Sequence, residues 1–252
     1  MPEGDTILRA RNRLAEALLG QTIAVAAPSP RGRSTGVERL DGMVLDRIET
    51  HGKNLMLFFG DRVLHSHLGM SGSWQIYQHG ARWRRARSSA WAVLGTEQHE
   101  AVEFGGPTLR VLPVTRLGLD PQLSRLGPDI LGPGFDADAV VSTLRRADQQ
   151  RTLGETVLDQ RLVAGIGNIF KCEACFATRL SPWRTAAQVT DEELRAVLIA
   201  ARGQMLDAVL RGRPAFAVYN HRGPCTRCGG QVSSRGQGDA NRTTWWCEHC
   251  QS

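Results

Sequence analysis

The chain has 252 residues with 31 basic and 25 acidic side chains, a formal net charge of +6 and a pI near 9.4. Its length supports one large domain or two modest ones, each burying its own core, and two is the expectation. No apolar run approaches the roughly 20 residues that cross a bilayer, and the polar start from Glu3 to Asp5 is unlike a secretory signal, so a cytoplasmic protein with no membrane partner is expected.

Apolar residues at Ile7, Leu8, Ala10, Leu14, Ala15 and Leu18 recur with a helical period, which predicts an amphipathic helix over 5–19 closed by Gly20. From Thr22 to about Val114 the pattern changes to short strand-like runs at 43–48, 55–59, 63–67, 90–94 and 109–112. Turn signals such as Gly60-Asp61 and Gly105-Gly106-Pro107 separate them, the mark of an antiparallel sandwich or barrel. Pro121, Pro128, Pro133 and several glycines then suggest a linker over 119–135. Beyond it the period is helical over 136–146, 153–158, 168–177 and 191–211, the last opened by Thr190 and Glu193 at capping-box spacing. No internal repeat or low-complexity tract is visible. The expected class is α+β: a leading helix and β-sandwich over 1–118, a linker, helices over 136–215, and a metal-bound tail over 216–252.

Cys225-x-x-Cys228 and Cys247-x-x-Cys250 stand 18 residues apart, the spacing of a four-cysteine zinc ribbon. Two knuckles at the ends of a hairpin supply the four soft ligands of one tetrahedral Zn2+, and with no ligand position open the ion is structural. The hairpin so closed contains Arg242, Thr243 and Thr244. Cys172 and Cys175 repeat the spacing on a predicted helix among Ile169, Phe170 and Phe176, where thiols pack as small hydrophobes. At the other end, removal of Met1 would leave Pro2 with a secondary amine able to attack a sugar aldehyde carbon, the covalent logic of Schiff-base lysines. An α-amino group titrates at about 7.7–8.0, so a useful fraction is unprotonated near neutrality, and Glu3 beside it is placed to act as general acid. A processed, unremarkable terminus would read the same way in isolation.

These motifs also occur in a particular order. Pro2-Glu3 at the start, His51-Gly52-Lys53 before a strand, Leu126-Gly127-Pro128-Asp129, Gly165-Ile166-Gly167-Asn168-Ile169 opening a helix, and the ribbon with Arg242 span essentially the whole chain. The pattern resembles the formamidopyrimidine-DNA glycosylase and endonuclease VIII family. That resemblance implies a helix-two-turn-helix DNA-binding domain over 136–215 and a zinc finger over 216–252. It further implies Pro2 as nucleophile at the sugar C1′, Glu3 as the acid that protonates the ring oxygen, and Lys53 on a phosphate near the lesion. Asn168 and Arg242 would grip backbone phosphates, Met70 in His67-Leu68-Gly69-Met70-Ser71-Gly72 would fill the void left by a flipped base, and Arg116 would probe the opposite strand. Three departures stand out: Leu117 replaces an aromatic after Arg116, Thr115 replaces an arginine before it, and Thr6 stands where many members have glutamate.

The implied partner is double-stranded DNA containing oxidised bases or abasic sites, bound by a monomer. A basic chain suits a polyanion, and because Lys53 and Lys171 are the only lysines, the excess lies in arginine, whose planar fork suits phosphates and base edges. A compositional bias of the source genome gives the same excess. Gly4, residues 126–131, Leu158-Asp159-Gln160 and the short passage 211–224 resemble the endonuclease VIII branch, so oxidised pyrimidines are the expected substrates. Three alternatives stand beside this reading: the same chemistry on formamidopyrimidine or 8-oxoguanine lesions, a zinc-containing DNA-binding protein without catalysis, and a Schiff base formed on Lys53 or Lys171.

Overall fold

A computed structural model describes residues 2–252, and the chain divides into two compact units, Met1–Arg125 and Leu126–Ser252. The first opens with helix α1 (Gly4–Leu18), then β1 (Thr22–Ala26), the single helical turn α2 (Pro30–Arg33), β2 (Met43–Val44), β3 (Arg47–His51) and β4 (Asn54–Phe59). It continues with β5 (Arg62–His67), β6 (Ser73–Gln78), β7 (Ala92–Gly95), β8 (His99–Phe104) and β9 (Thr108–Pro113). The strands form two antiparallel sheets, β2-β1-β7-β8-β6 and β3-β4-β5-β9. Ile23, Trp74, Leu94 and Ala101 of one face Leu55, Leu57, Leu64 and Leu109 of the other, and α1 adds Ile7, Leu14 and Leu18 to the same core. This is a β-sandwich with a leading helix.

β4 reads as an unbroken apolar run because both its faces are covered. Leu55, Leu57 and Phe59 enter the sandwich, while Met56 and Phe58 pack outward on Val63, Leu112, Leu117 and Leu123. Strands β6 and β8 carry no alternation that the sequence reading recognised. β8 is covered on both sides and holds Glu100 and Glu103 among its buried residues, which erases the expected period of two.

The second unit contains α3 (Ala137–Arg145), α4 (Leu153–Leu158), α5 (Asn168–Ala177), α6 (Asp191–Arg211) and the hairpin β10 (Val232–Gln237) with β11 (Arg242–Cys247). Their starts follow from capping chemistry. Asp136 accepts the amides of Asp138 and Ala139, and Thr152 with Glu155 and Thr190 with Glu193 form reciprocal capping boxes, each satisfying otherwise orphaned donors. Val140, Leu144, Val157, Phe170, Leu198 and Met205 share one core. The proline-rich stretch contributes to it as well: Ile130 is fully buried there, and the Ile130 amide bonds the Ala164 carbonyl at 3.0 Å.

Candidate active site and nucleic-acid interface

In the first unit the backbone brings four of the expected residues to one end of the sandwich. Gly20, just past α1, donates to Leu45 O at 2.9 Å, and mid-helix Arg11 Nε donates to Ile48 O at 3.3 Å. The helix therefore runs antiparallel to β3, and its start, with Pro2 and Glu3, points toward the His51-Gly52-Lys53 turn that ends that strand. Glu3 is 1% exposed and is the extended N-cap of α1, where aligned peptide dipoles favour negative charge. Asp5, also buried, pairs with Arg9 at 2.8 Å, and burial pushes its carboxyl up. Lys53 lies beside His67, in the strand pairing that sets Asn54 opposite His67. Burial first and the Lys53 charge second hold the His67 imidazole below its ordinary value, and its Nδ1 accepts the Gly69 amide at 3.2 Å. Removal of Met1 concerns a residue outside the described ones.

Met70, on the loop between β5 and β6, is 73% exposed. An apolar tip so exposed needs a rigid base, and close backbone packing supplies one. Gly69 has φ +58°, and a Cβ there would stand 2.6 Å from Pro107 Cδ; a Cβ at Gly72 would stand 2.5 Å from Leu68 O and 2.8 Å from Gly106 Cα. Below the loop, fully buried Glu103 accepts the Gly106 amide at 2.9 Å, while its second oxygen has no partner. Desolvation pushes this carboxyl up to about 7. Arg116 lies on the turn Val114–Leu119 that leaves β9, and Asp120 just beyond it pairs back with Arg110 at 2.6 Å. The turn opens at Val114, whose amide bonds Asp61 O at 2.9 Å at the end of the four-stranded sheet away from Lys53 and Met70, and Leu117 packs onto the outer face of that sheet.

In the second unit Asn168 and the β10–β11 hairpin meet. Asn168, 4% exposed, is the first residue of α5 rather than its cap, which is Gly167. Its Nδ2 donates to Thr243 O at 2.7 Å, next to exposed Arg242, while its Oδ1 is buried without a partner. Lys171, one helical turn on, is fully buried. Its Nζ donates to Thr244 Oγ1 and to Gln237 Oε1 at 3.1 Å, and Gln237 Nε2 continues to Thr152 Oγ1 at 2.9 Å. Lys171 thus ties α5 to both strands of the hairpin, out of reach of any sugar carbon. The sequence reading missed this network and the Glu103 support. Each joins polar residues distant in sequence, and only the His67-to-Gly72 motif offered a local clue.

The four ribbon cysteines converge, with all Sγ atoms within 4.8 Å of one another. Cys225 to Cys250 is 3.8 Å and Cys228 to Cys247 is 3.6 Å, against an edge of about 3.8 Å for a tetrahedron with metal–sulfur bonds of about 2.3 Å. The Arg227 and Gly230 amides approach Cys225 and Cys228 Sγ at 3.4 Å each, which favours thiolate. These residues fit a zinc ion. Cys172 packs beside Cys225 and Cys247 in a small apolar cluster without joining the four convergent thiols, and Cys175 lies in the helical core, where burial pushes its thiol up to about 12, as expected of core packing.

Residues 1–110 match the formamidopyrimidine-DNA glycosylase N-terminal domain and residues 126–218 the H2TH domain of the same enzymes. The chain belongs to the formamidopyrimidine-DNA glycosylase and endonuclease VIII family. Within that family it is 36% identical over 267 residues to the "Probable endonuclease 8 2" of Streptomyces coelicolor, covering 100% of this chain and 94% of the relative. It is 33% identical over 266 residues to the "DNA-(apurinic or apyrimidinic site) lyase Nei2" of Mycolicibacterium smegmatis, covering 100% and 99%. The fold also matches Lactococcus lactis Fpg, solved in complex with abasic-site DNA, with a TM-score of 0.85 at 21% identity and 100% coverage of both chains. The endonuclease VIII-like branch expected from Gly4 and the short 211–224 passage agrees with the relatives' names.

Proposed function

We propose that the protein is a bifunctional DNA glycosylase and AP lyase of base excision repair. The observation that carries this is the placement of Pro2, buried Glu3, Lys53 and the exposed Met70 tip at one end of the sandwich, in a chain whose whole length matches endonuclease 8 and AP-lyase relatives. With Met1 removed, the Pro2 nitrogen lone pair attacks C1′, the C1′–base bond breaks, and the base departs with a proton. Glu3 protonates the ring oxygen, which opens the sugar and leaves an iminium between Pro2 and C1′. Loss of a C2′ proton expels the 3′ phosphate, and a second elimination expels the 5′ phosphate. Lys53 holds a phosphate beside the reacting sugar, and Met70 occupies the stack vacated by the flipped base.

In the second unit, Asn168 and Arg242 grip backbone phosphates from a helix start and a hairpin turn, where exposed amides and the helix dipole favour anions. One structural Zn2+ on Cys225, Cys228, Cys247 and Cys250 clamps that hairpin and takes no part in the chemistry. Arg116 reads the opposite strand. The reading further comprises a cytoplasmic monomer, the division at 119–135 and 216, and oxidised pyrimidines as substrates, the last supported by the endonuclease 8 relatives. Oxidised purines are the competing substrates, and excision from a panel of lesion duplexes decides between them.

Borohydride trapping on an abasic duplex tests the mechanism. The wild-type protein should yield a covalent adduct that maps to Pro2, and Pro2→Gly should lose most of it. An adduct mapped to Lys53 would replace the proline mechanism. No adduct from protein shown to lack Met1 would leave a DNA-binding protein without catalysis.

A further inference from the structure

Residues 79–91 cross from β6 to β7 over the outer face of the five-stranded sheet and carry Arg82, Arg84, Arg85 and Arg87, all exposed. An arginine-rich loop is ordinarily a solvated tether, but this one is fastened down. Trp83 is buried against Phe104, Ala90, Val93 and Val102, stacks on Tyr77 at 6.0 Å and donates from Nε1 to Glu100 Oε2 at 2.9 Å. The Arg84 amide donates to the Tyr77 hydroxyl at 3.2 Å. Arg85 lies 5.1 Å from the Phe104 ring centroid and Arg87 lies 4.1 Å from that of Trp83. A guanidinium stacked by its face keeps its N–H edge directed outward, so its position is set while its donors stay available for bidentate contact with a phosphate. Two carboxylates face the group: Glu100, 3.9 Å from Arg87 and already engaged by Trp83, and buried Glu103, near enough for the Arg85 charge to act on it.

Location specifies the partner. Phe104 pairs in register with Ser73, the residue immediately after the loop that carries Met70, and Phe104 leads directly into Gly105, Gly106 and Pro107 beneath that loop. Arg85 therefore stands at the sheet end from which Met70 projects.

We propose that Arg82, Arg84, Arg85 and Arg87 form a second phosphate-binding surface, which holds the backbone of duplex DNA beyond the nucleotide where Met70 enters the stack. The proposal rests on the DNA-repair reading above. Guanidiniums on a fixed strap track a regularly charged backbone without reading sequence, and they add to the salt dependence of binding rather than to lesion choice.

The test is the slope of log affinity against log salt on a lesion-containing duplex, for the wild type, the fourfold Arg→Gln variant and the fourfold Arg→Lys variant. Each phosphate contact contributes about 0.9 to that slope. The Gln variant should be shallower by about 2 to 4, with the Lys variant close to wild type. If the fourfold variant does not fold, Arg82→Gln with Arg84→Gln, which leaves both stacked arginines in place, should be shallower by about 1 to 2 on the same principle. A Gln variant within about 0.5 of the wild-type slope overturns the proposal, as does an Arg→Lys variant that falls equally, since that would assign the arginines to packing. Wild-type protein that shows no salt-dependent duplex binding and no borohydride adduct would instead overturn the DNA-repair reading itself.

Discussion

Met70 and Arg242 are each presented by a turn, and the two turns are held by opposite means. The Met70 loop rests on backbone packed against backbone, with Gly69 on Pro107 and Gly72 on Leu68 and Gly106. The Arg242 turn hangs on polar chemistry: four convergent thiols, Lys171 on Thr244 and Gln237, and Asn168 on Thr243. Apolar packing sets a tip by excluding alternatives, and its cost when broken is steric. A polar clamp sets a tip by satisfying buried groups, and its cost when broken is desolvation.

Metal removal should produce the largest effect because it attacks only the second device. Structural zinc contributes on the order of 10 kcal/mol or more to the folding of small metal domains. Chelation should abolish duplex binding in a gel shift while the circular dichroism of the sandwich strands persists. Full binding by protein verified to be metal-free would show that the polar network alone holds the hairpin. The matching attack on the first device is Gly72→Val, which drives a side chain into Leu68 O and should cost about 3 kcal/mol or more. Met70→Ala, at a side chain 73% exposed, should leave the melting temperature within a degree or two yet slow excision from a paired lesion relative to an unpaired one. A large loss of stability in Met70→Ala would mean that the tip is part of the core.

A gentler attack on the polar clamp than metal removal is Lys171→Met. It keeps the volume but leaves buried Thr244 Oγ1 without its Lys171 donor and Gln237 Oε1 with only the Thr244 hydroxyl at 2.8 Å, at about 1–3 kcal/mol. Weakened duplex binding with zinc fully retained is the expected signature. Unchanged binding would confine the hairpin's placement to the metal.

The sequence displayed these two devices unequally. The cysteine ribbon was legible because metal geometry fixes ligand spacing, and the longest helix was legible because the capping box of Thr190 and Glu193 marks its start. The placement of Pro2, Glu3, Lys53 and Met70 together was not, since it depends on α1 running antiparallel to β3, a choice settled by packing. Lys171 is the sharper case. A lone lysine on a predicted helix reads as a solvated or reactive amine, and its partners lie 66 and 73 residues away. Glu103 was hidden for a related reason, since a glutamate in a strand reads as an outward-facing position until both sheet faces prove to be covered.

Glu103 also yields the finest of these tests, because its titration opposes that of a neighbouring sheet. Burial raises its carboxyl from 4.5 to about 7, so between those values the folded state keeps a proton that the unfolded state has released. Stability attributable to Glu103 is therefore full below about pH 4.5 and declines as pH rises toward 7. His65 has the opposite sign. Burial first and the Arg110 charge second lower its imidazole from 6.5 to about 4, and its ring is held neutral between Arg110 Nε at 3.2 Å and Asn54 Oδ1 at 2.9 Å. The unfolded state thus takes up a proton that the folded state refuses, so the His65 contribution declines as pH falls from 6.5 toward 4. In the wild type these slopes offset each other across the overlap of the two windows. Glu103→Gln removes one of them, so the variant should gain about 2 kcal/mol on the wild type between pH 5 and pH 7 in urea unfolding. A difference independent of pH would mean that Glu103 is ionised in the folded protein, and that the Met70 loop stands on a charged carboxylate rather than a neutral one.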